Sequence, residues 1–130
     1  MARRAQRSGT VVMAAAAAWG LASPAVAAET RNFDLQTTAD LVALCSCPPD
    51  RPLYAQALQF CYGYLTGMAH LHRALVREKK IERLACPTHE VARDALAGLF
   101  LDWVRDNPGA LEAPPAESVR RAAVAAWPCK

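Results

Sequence analysis

The sequence predicts an all-α fold, a small disulfide-stapled bundle of about four helices. Apolar residues recur at three- and four-residue spacing through most of the chain after residue 36, which is the period of an amphipathic helix. The same region lacks the alternating β-branched residues and the Asn-Gly or Asp-Gly pairs that are typical of hairpins. Five cysteines in so short a chain favour covalent cross-links that supplement a modest core.

The first 27 residues have the layout of a secretory signal peptide. Three arginines and no acid precede an apolar stretch from Thr10 to Ala22, and small residues follow in an A-x-A arrangement that ends at Ala27. The apolar stretch is shorter than the about 20 residues that span a bilayer. We therefore expect residues 1–27 to be cleaved, and the rest to be periplasmic, oxidised and free of membrane contact. The alternative is an apolar N-terminal anchor that stays uncleaved.

The charge of the chain argues against a nucleic-acid partner. All 12 acidic residues but only 12 of the 15 basic residues lie after residue 27, so the predicted mature protein has no net charge. Nucleic-acid binding usually requires a strongly basic face. The one basic cluster, between Arg73 and Arg83, is interleaved with acids and is interpreted as a solvated helix end.

Residues 28–36 are predicted to form an extended lead-in, followed by the helical domain over residues 37–130. Thr37 and Asp40 have the spacing of a capping box and predict the start of a first helix that ends near Cys45. Three prolines between residues 47 and 52 then predict a loop, because proline removes an amide donor and fixes the backbone.

The second and longest helix is predicted from about Leu53 to Arg83, since its apolar residues fall on one face. Gly63 and Gly67 lie four residues apart within it, and each costs up to about 1 kcal/mol relative to alanine. A glycine pair at this spacing lets another backbone approach closely. We therefore expect another helix to cross at Gly63 and Gly67.

Two shorter helices complete the predicted bundle. Thr88 is the expected N-cap of the third helix, and the sequence Asn107-Pro108-Gly109 is expected to end it. Pro114 and Pro115 then lead into a fourth helix, which ends at Trp127-Pro128-Cys129.

Helix geometry favours one pairing of the cysteines. Cys61 lies about 30 Å from the far end of the second helix, too far to reach Cys86, because bridged Cα atoms lie within about 7 Å. Cys45 is close to Cys61, and the third and fourth helices bring Cys129 back to Cys86. We predict Cys45–Cys61 and Cys86–Cys129 bonds, worth about 3 and 4 kcal/mol in the loop-entropy model. Cys47 is left unpaired; alternatively it replaces Cys45 or forms an intermolecular Cys47–Cys47 bridge.

No catalytic residue, metal site or cofactor is predicted. The Cys45-Ser46-Cys47 spacing is neither C-x-x-C nor half of a zinc pair. Met68, His70 and His72 are close in sequence, but helical positions two apart point in different directions. There is no Gly-rich phosphate loop, and nothing brings a nucleophile and a base or two carboxylates together. We expect a protein that is not an enzyme.

Several short sequence blocks occur in order within residues 37–129. They are Leu44-Cys45, Phe60-Cys61-Tyr62-Gly63-Tyr64-Leu65-Thr66-Gly67, Cys86-Pro87, Trp103 with Asn107-Pro108, and Trp127-Pro128-Cys129. Together they resemble the Rap/Tai family of type VI secretion immunity proteins. The F-C-x-G-Y-x-x-G block and the terminal W-P-C are the more specific of these signals.

The resemblance implies a small, periplasmic, helical and disulfide-bonded protein. Members of that family bind peptidoglycan amidase effectors delivered by rival or sister cells and block the active-site groove of the amidase. The implied partner is therefore a secreted peptidoglycan amidase effector, and a homodimer is implied as well because characterised members often dimerise. The residues that carry over from the family are scaffold positions: Cys45, Cys61, Gly63, Gly67, Cys86 and Cys129. Cys47 is extra to this pattern.

The effector-binding surface is predicted in the loops, which a rigid scaffold can present to a partner. The first choices are the loops from Pro48 to Pro52 and from Gly109 to Pro115, followed by the segment from Arg77 to Arg83. The predicted contact residues are Pro49, Asp50, Arg51, Arg77, Glu78, Lys79 and Glu112.

Two other functions are compatible with the residues. A small periplasmic helical chaperone or stress protein would loosen at acid pH and expose apolar surface, although two disulfides disfavour large-scale opening. A metal or redox module would use Cys45, Cys47 and the histidines, and metal analysis of the purified protein would distinguish it.

Overall fold

The structure, a computed structural model, describes residues 27–130, and this part of the chain is entirely helical apart from its loops. Its helices are α1 (Thr38–Cys45), α2 (Tyr54–Arg77), α3 (Arg93–Asp106) and α4 (Pro115–Ala126), with 3-10 helices at Thr30–Asp34 and Pro108–Ala110. No strand occurs among these residues, and the predicted all-α bundle of four helices is confirmed. The signal peptide predicted for residues 1–27 lies, except for Ala27, outside the described residues.

The core forms around α1, which contacts the other three α-helices. Leu41 and Leu44 of α1 are completely buried, and they share the core with Leu65 of α2 and Phe100 of α3. Fully burying one such side chain contributes about 1.5–3 kcal/mol of hydrophobic stabilisation.

The disulfides are Cys45–Cys61 and Cys86–Cys129, the two bonds that the helical arrangement predicts. The first joins the end of α1 to α2 within the core, where Cys61 is fully buried. Cys47 is free and buried. An intermolecular Cys47–Cys47 bridge would therefore require the loop after α1 to open.

A network of polar contacts fixes the start of α1. The capping box predicted at Thr37 is present, with the Thr37 N–H donating to Oδ2 of Asp40 at 2.9 Å. The side-chain N–H of Asn32 donates to Oδ1 of the same Asp40 carboxylate at 2.8 Å. The side-chain oxygen of Asn32 accepts a hydrogen bond from the Glu29 N–H at 2.7 Å. Residues 28–36, expected to be extended, therefore include a 3-10 helix, because these local bonds favour a turn.

The first N–H groups of α1 are bonded to the loop between α3 and α4. The Thr38 N–H donates to the carbonyl oxygen of Ala113 at 2.8 Å, and the Ala39 N–H donates to that of Leu111 at 2.9 Å. The Thr38 hydroxyl lies 2.8 Å from both the Ala113 oxygen and the Ser118 hydroxyl. Donors that a helix leaves unpaired at its start are thus satisfied, and α4 is held against α1.

The second helix ends at Arg77, earlier than the predicted end at Arg83. A Schellman-type cap stops it: the Lys80 N–H donates to the carbonyl oxygen of Leu75 at 2.9 Å. Lys79 provides the left-handed residue of this cap, with a φ of 55°. The expected periodicity continues past this point, but the capping turn redirects the backbone.

The connector, as we call residues 78–92, separates α2 from α3. It runs without regular structure to the end of α4, where the Cys86 N–H donates to the carbonyl oxygen of Trp127 at 2.8 Å. The Cys86–Cys129 bond holds it there. As a result α3 begins at Arg93, and the expectation that Thr88 caps this helix was wrong.

Gly63 and Gly67 do not mark a helix crossing, and that expectation was wrong as well. Both residues are exposed, and a Cβ atom built on either would have no neighbouring atom within 4 Å. The core side of α2 instead carries Cys61 and Leu65, which are fully buried. The two glycines face solvent because the packing of α2 involves its other faces.

The helices differ in length, and this difference leaves part of α2 without a helical neighbour in the described part of the chain. α2 has 24 residues, against 14 in α3 and 12 in α4. The guanidinium carbon of Arg93, the first residue of α3, lies 5.1 Å from the ring centroid of Tyr62 in α2. α3 therefore starts beside the middle of α2, and the last turns of α2 extend beyond it.

The cap of α2 predicts a stabilising substitution. Lys79→Gly should raise the free energy of unfolding by about 0.5–1 kcal/mol, because glycine adopts the left-handed conformation without steric cost. Urea unfolding of both proteins measures the difference. Lys80→Gly is the matched control, since Lys80 does not have a positive φ, and it should not stabilise the protein. Equal effects of the two substitutions would contradict the cap.

The carboxylate at the start of α1 predicts a dependence of stability on pH. Burial raises the pKa of Asp40, but the hydrogen bonds from Asn32 and Thr37 outweigh it and hold the pKa below its ordinary value. A lowered folded pKa stabilises the protein above the unfolded value, and this stabilisation is lost as the pH falls through the folded value. Asp40→Asn should cost about 1 kcal/mol at neutral pH.

Urea unfolding from neutral pH to below 3.8 tests this expectation. The difference between the wild type and Asp40→Asn should shrink as the pH falls. Asp34→Asn is the control, because the side chain of Asp34 is exposed and makes no hydrogen bond or ion pair in the described part of the chain. A difference that stays constant with pH would show that the carboxylate does not act through its charge.

Candidate binding groove

An open groove of about 1140 Å³ lies between the last turns of α2, the connector and α4. It exists because α2 and α4 have little direct contact with each other. Its walls are mainly apolar, and the side chains that matter most are Leu71, Leu75, Ile81, Leu84, Val124 and Trp127.

Exposed apolar side chains are concentrated in this groove. Four large apolar residues are exposed in the described part of the chain, and three line the groove: Leu71 at 60%, Leu84 at 41% and Ile81 at 36%. The fourth, Phe60, is 36% exposed and packs edge-on against Phe33 with ring centroids 5.4 Å apart. A contiguous apolar surface of this kind marks an interaction site more often than isolated exposed residues do.

Positive charge surrounds the apolar walls. Two acids, Glu90 and Glu117, also line the groove, and Glu117 is already paired with Arg121 at 3.7 Å. The arginines of the groove form no ion pair within the described residues. They are Arg73, Arg77, Arg83 and Arg120, all exposed. The groove thus combines apolar walls with a predominantly basic rim.

The connector wall is fixed at two points. The Leu84 N–H donates to Nε2 of His72 at 3.1 Å, which requires the imidazole tautomer whose Nε2 carries a free lone pair. Two residues later, Cys86 is bonded to Cys129 and to the backbone of Trp127. The backbone on either side of the exposed Leu84 side chain is therefore held in place.

The predicted contact residues are all exposed, but they do not form one surface. Residues 49–51 precede α2, and residues 77–79 lie at its C-terminal end. The length of α2 therefore separates the two sets by roughly 35 Å. Glu112 lies in the loop that is bonded to the start of α1. Of these seven residues, Arg77 lines the groove.

The apolar side chains of the groove are not among the contact residues predicted from the sequence. Ile81 lies within the charged run that was interpreted as a solvated helix end, and Leu84 directly follows it. These two large apolar residues, one inside the charged run and one next to it, were the available signal of an apolar surface. The exposure of Leu71 could not be predicted from the sequence, because it depends on where α3 begins.

The described part of the chain contains no cluster of metal-ligating side chains and no unsatisfied buried polar side chain. No group of three or more histidine, cysteine, aspartate or glutamate side chains is arranged to hold a metal ion. Every buried side-chain nitrogen or oxygen has a hydrogen-bond partner. What the groove offers is apolar contact with basic charge around it.

Among residues 27–130, no helix has both the length and the hydropathy needed to cross a bilayer.

Comparison with known proteins gives a family match. The model of the Rap1a immunity proteins matches residues 37–129. This span includes all four α-helices and both disulfides. No curated protein and no solved structure shows significant similarity to the chain.

The groove predicts a local effect of the second disulfide. In the double variant Cys86→Ala/Cys129→Ala, amide hydrogen exchange of Leu84 and of residue 86 should accelerate more than that of Leu44 in the core. The reason is that the connector loses its covalent anchor, whereas the α1 core does not. The free energy of unfolding should also fall, by up to about 4 kcal/mol for a closed loop of this length.

The matched control is Cys45→Ala/Cys61→Ala, which removes the bond inside the core. Here the amides around Leu44 should lose more protection than those of the connector. If both double variants accelerate exchange equally throughout the molecule, the second disulfide is not a local anchor of the groove.

Proposed function

This chain belongs to the Rap1a immunity protein family, and we propose that it binds and inhibits a peptidoglycan amidase effector of a type VI secretion system. In this way it protects the cell that produces it from its own toxin or that of a sister cell. The observation that carries the proposal is the family match over residues 37–129. Membership implies an inhibitor that binds a cognate effector rather than an enzyme.

The proposed mechanism is stoichiometric binding without chemistry. The described chain holds its helices together through a core around α1 and two disulfides. A scaffold that is ordered before association loses less conformational entropy on binding, and more of the contact energy then appears as affinity. An inhibitor that must occupy an enzyme for long periods benefits from this arrangement.

The proposed location is the periplasm. Two disulfides together with an immunity family suggest an extracellular or periplasmic protein. The signal peptide predicted for residues 1–27 supports export, and the periplasm is where an amidase would meet peptidoglycan. A homodimer, implied by the resemblance to Rap/Tai proteins, is proposed as a second partner, and analytical ultracentrifugation would measure it.

Inhibition of a candidate amidase tests the proposal. The protein, exported with its own N-terminus and purified with its disulfides intact, is titrated into the amidase while peptidoglycan hydrolysis is followed. Activity should fall linearly to a sharp end point at a fixed ratio of the two proteins, because a tight complex removes the enzyme stoichiometrically. An amidase that is not cognate is the control and should keep its activity.

Activity that stays unchanged at excess protein, for every candidate amidase, would reject the proposal. Capture of many unrelated denatured proteins at low pH would favour the chaperone instead. A survival assay tests the location: cells with the amidase directed to their periplasm should survive with the full chain and die with a chain lacking residues 1–27. Equal survival would contradict a periplasmic site of action.

A further inference from the structure

We propose that the groove between α2, the connector and α4 binds an amphipathic helical segment of the effector, one with apolar residues on one face and acidic residues along its edges. The inference rests on the proposed function and adds to it the surface of contact and the chemistry of the partner. It differs from the loop surfaces predicted from the sequence, of which only Arg77 contributes to the groove.

The apolar walls of the groove suit an amphipathic helix. One wall is a helix face, on which Leu71 and Leu75 lie one turn apart. A second wall is the connector, whose Ile81 and Leu84 side chains are exposed to water. An amphipathic helix placed between such walls buries its apolar face against both, which is a recurrent mode of peptide recognition.

The charges around the groove select an acidic partner. Arg73 and Arg77 lie one turn apart on α2, Arg83 is on the connector and Arg120 is on α4, so all three walls carry positive charge. None of the four has an ion-pair partner among the described residues. Carboxylates along the edges of a bound helix would supply those partners, and charge complementarity of this kind steers association and fixes register.

The same charges disfavour the other occupants that this chain could supply. The first 26 residues include Arg3, Arg4 and Arg7 and no acid, so they would bring further positive charge to a basic rim. A second copy related by a two-fold axis through the groove would place the same basic rim against itself. The groove is therefore better suited to a different chain with acidic residues.

Charge reversal on the α4 wall tests the inference on the effector complex. Arg120→Glu should weaken binding of the amidase by about tenfold or more, with the larger effect at low salt. Arg93→Glu is the matched control, because Arg93 is also an exposed arginine without an ion pair in the described chain but does not line the groove. Its dissociation constant should stay within about twofold of the wild type. Isothermal titration calorimetry measures both.

The apolar contact has its own matched pair. Ile81→Ser and Phe60→Ser remove side chains of equal exposure, 36% each, but only Ile81 lines the groove. Ile81→Ser should weaken binding several-fold and Phe60→Ser should not, once thermal unfolding shows that both variants are folded. If the wild type binds the amidase and neither groove variant weakens binding, the inference is overturned while the proposed function stands.

If the wild type binds no amidase, the proposed function fails, and a peptide probe still decides about the groove. The probe is a synthetic helix with leucines on one face and glutamates along its edges, compared with the same peptide carrying lysines in place of the glutamates. Preferential binding of the acidic peptide, with NMR shifts at Leu71, Ile81 and Leu84, would support the inference. No binding, equal binding of both peptides, or shifts elsewhere would overturn it.

Discussion

The Cys86–Cys129 bond holds the connector against the end of α4 and thereby shapes the groove. It joins residues 43 positions apart and brings the connector to the end of α4, where the Cys86 N–H also donates to Trp127. Because one wall of the groove is made by the connector, its shape depends on this covalent contact. The core around α1 has its own bond, Cys45–Cys61, so the two disulfides act on different parts of the fold.

Unequal helix lengths explain why apolar surface is left exposed in a small bundle. α2 continues beyond the start of α3, so its last turns have no helix to pack against among residues 27–130. The connector crosses near these turns but is held by His72 and by the second disulfide, and it does not close over them. Leu71, Ile81 and Leu84 consequently stay in contact with water, at a cost in stability that a binding partner could recover.

The arrangement suits a protein whose function is to bind. Walls held by a disulfide and by hydrogen bonds need little ordering on association. Arginines that are unpaired within the described residues surround the apolar surface and favour an acidic partner. Membership of the Rap1a immunity family assigns such a role at the level of the family. The family match does not depend on the groove, and the groove does not depend on the identity of the effector, so the two can be tested separately.

Local signals in the sequence determined the helical class, the capping box at Thr37 and the four-helix order, because these depend on residues within one or two turns of each other. The sequence also predicted the disulfide pairing, since helix length limits which cysteines can meet, but it left Cys47 as an alternative to Cys45. Only the tertiary structure decided that α2 ends in a cap whose left-handed residue is Lys79. Lysine is not typical of that conformation, so the sequence does not predict the cap. The tertiary structure likewise decided that Gly63 faces solvent, that α3 begins late, and that Ile81 lines a groove, because each depends on which distant segments pack together.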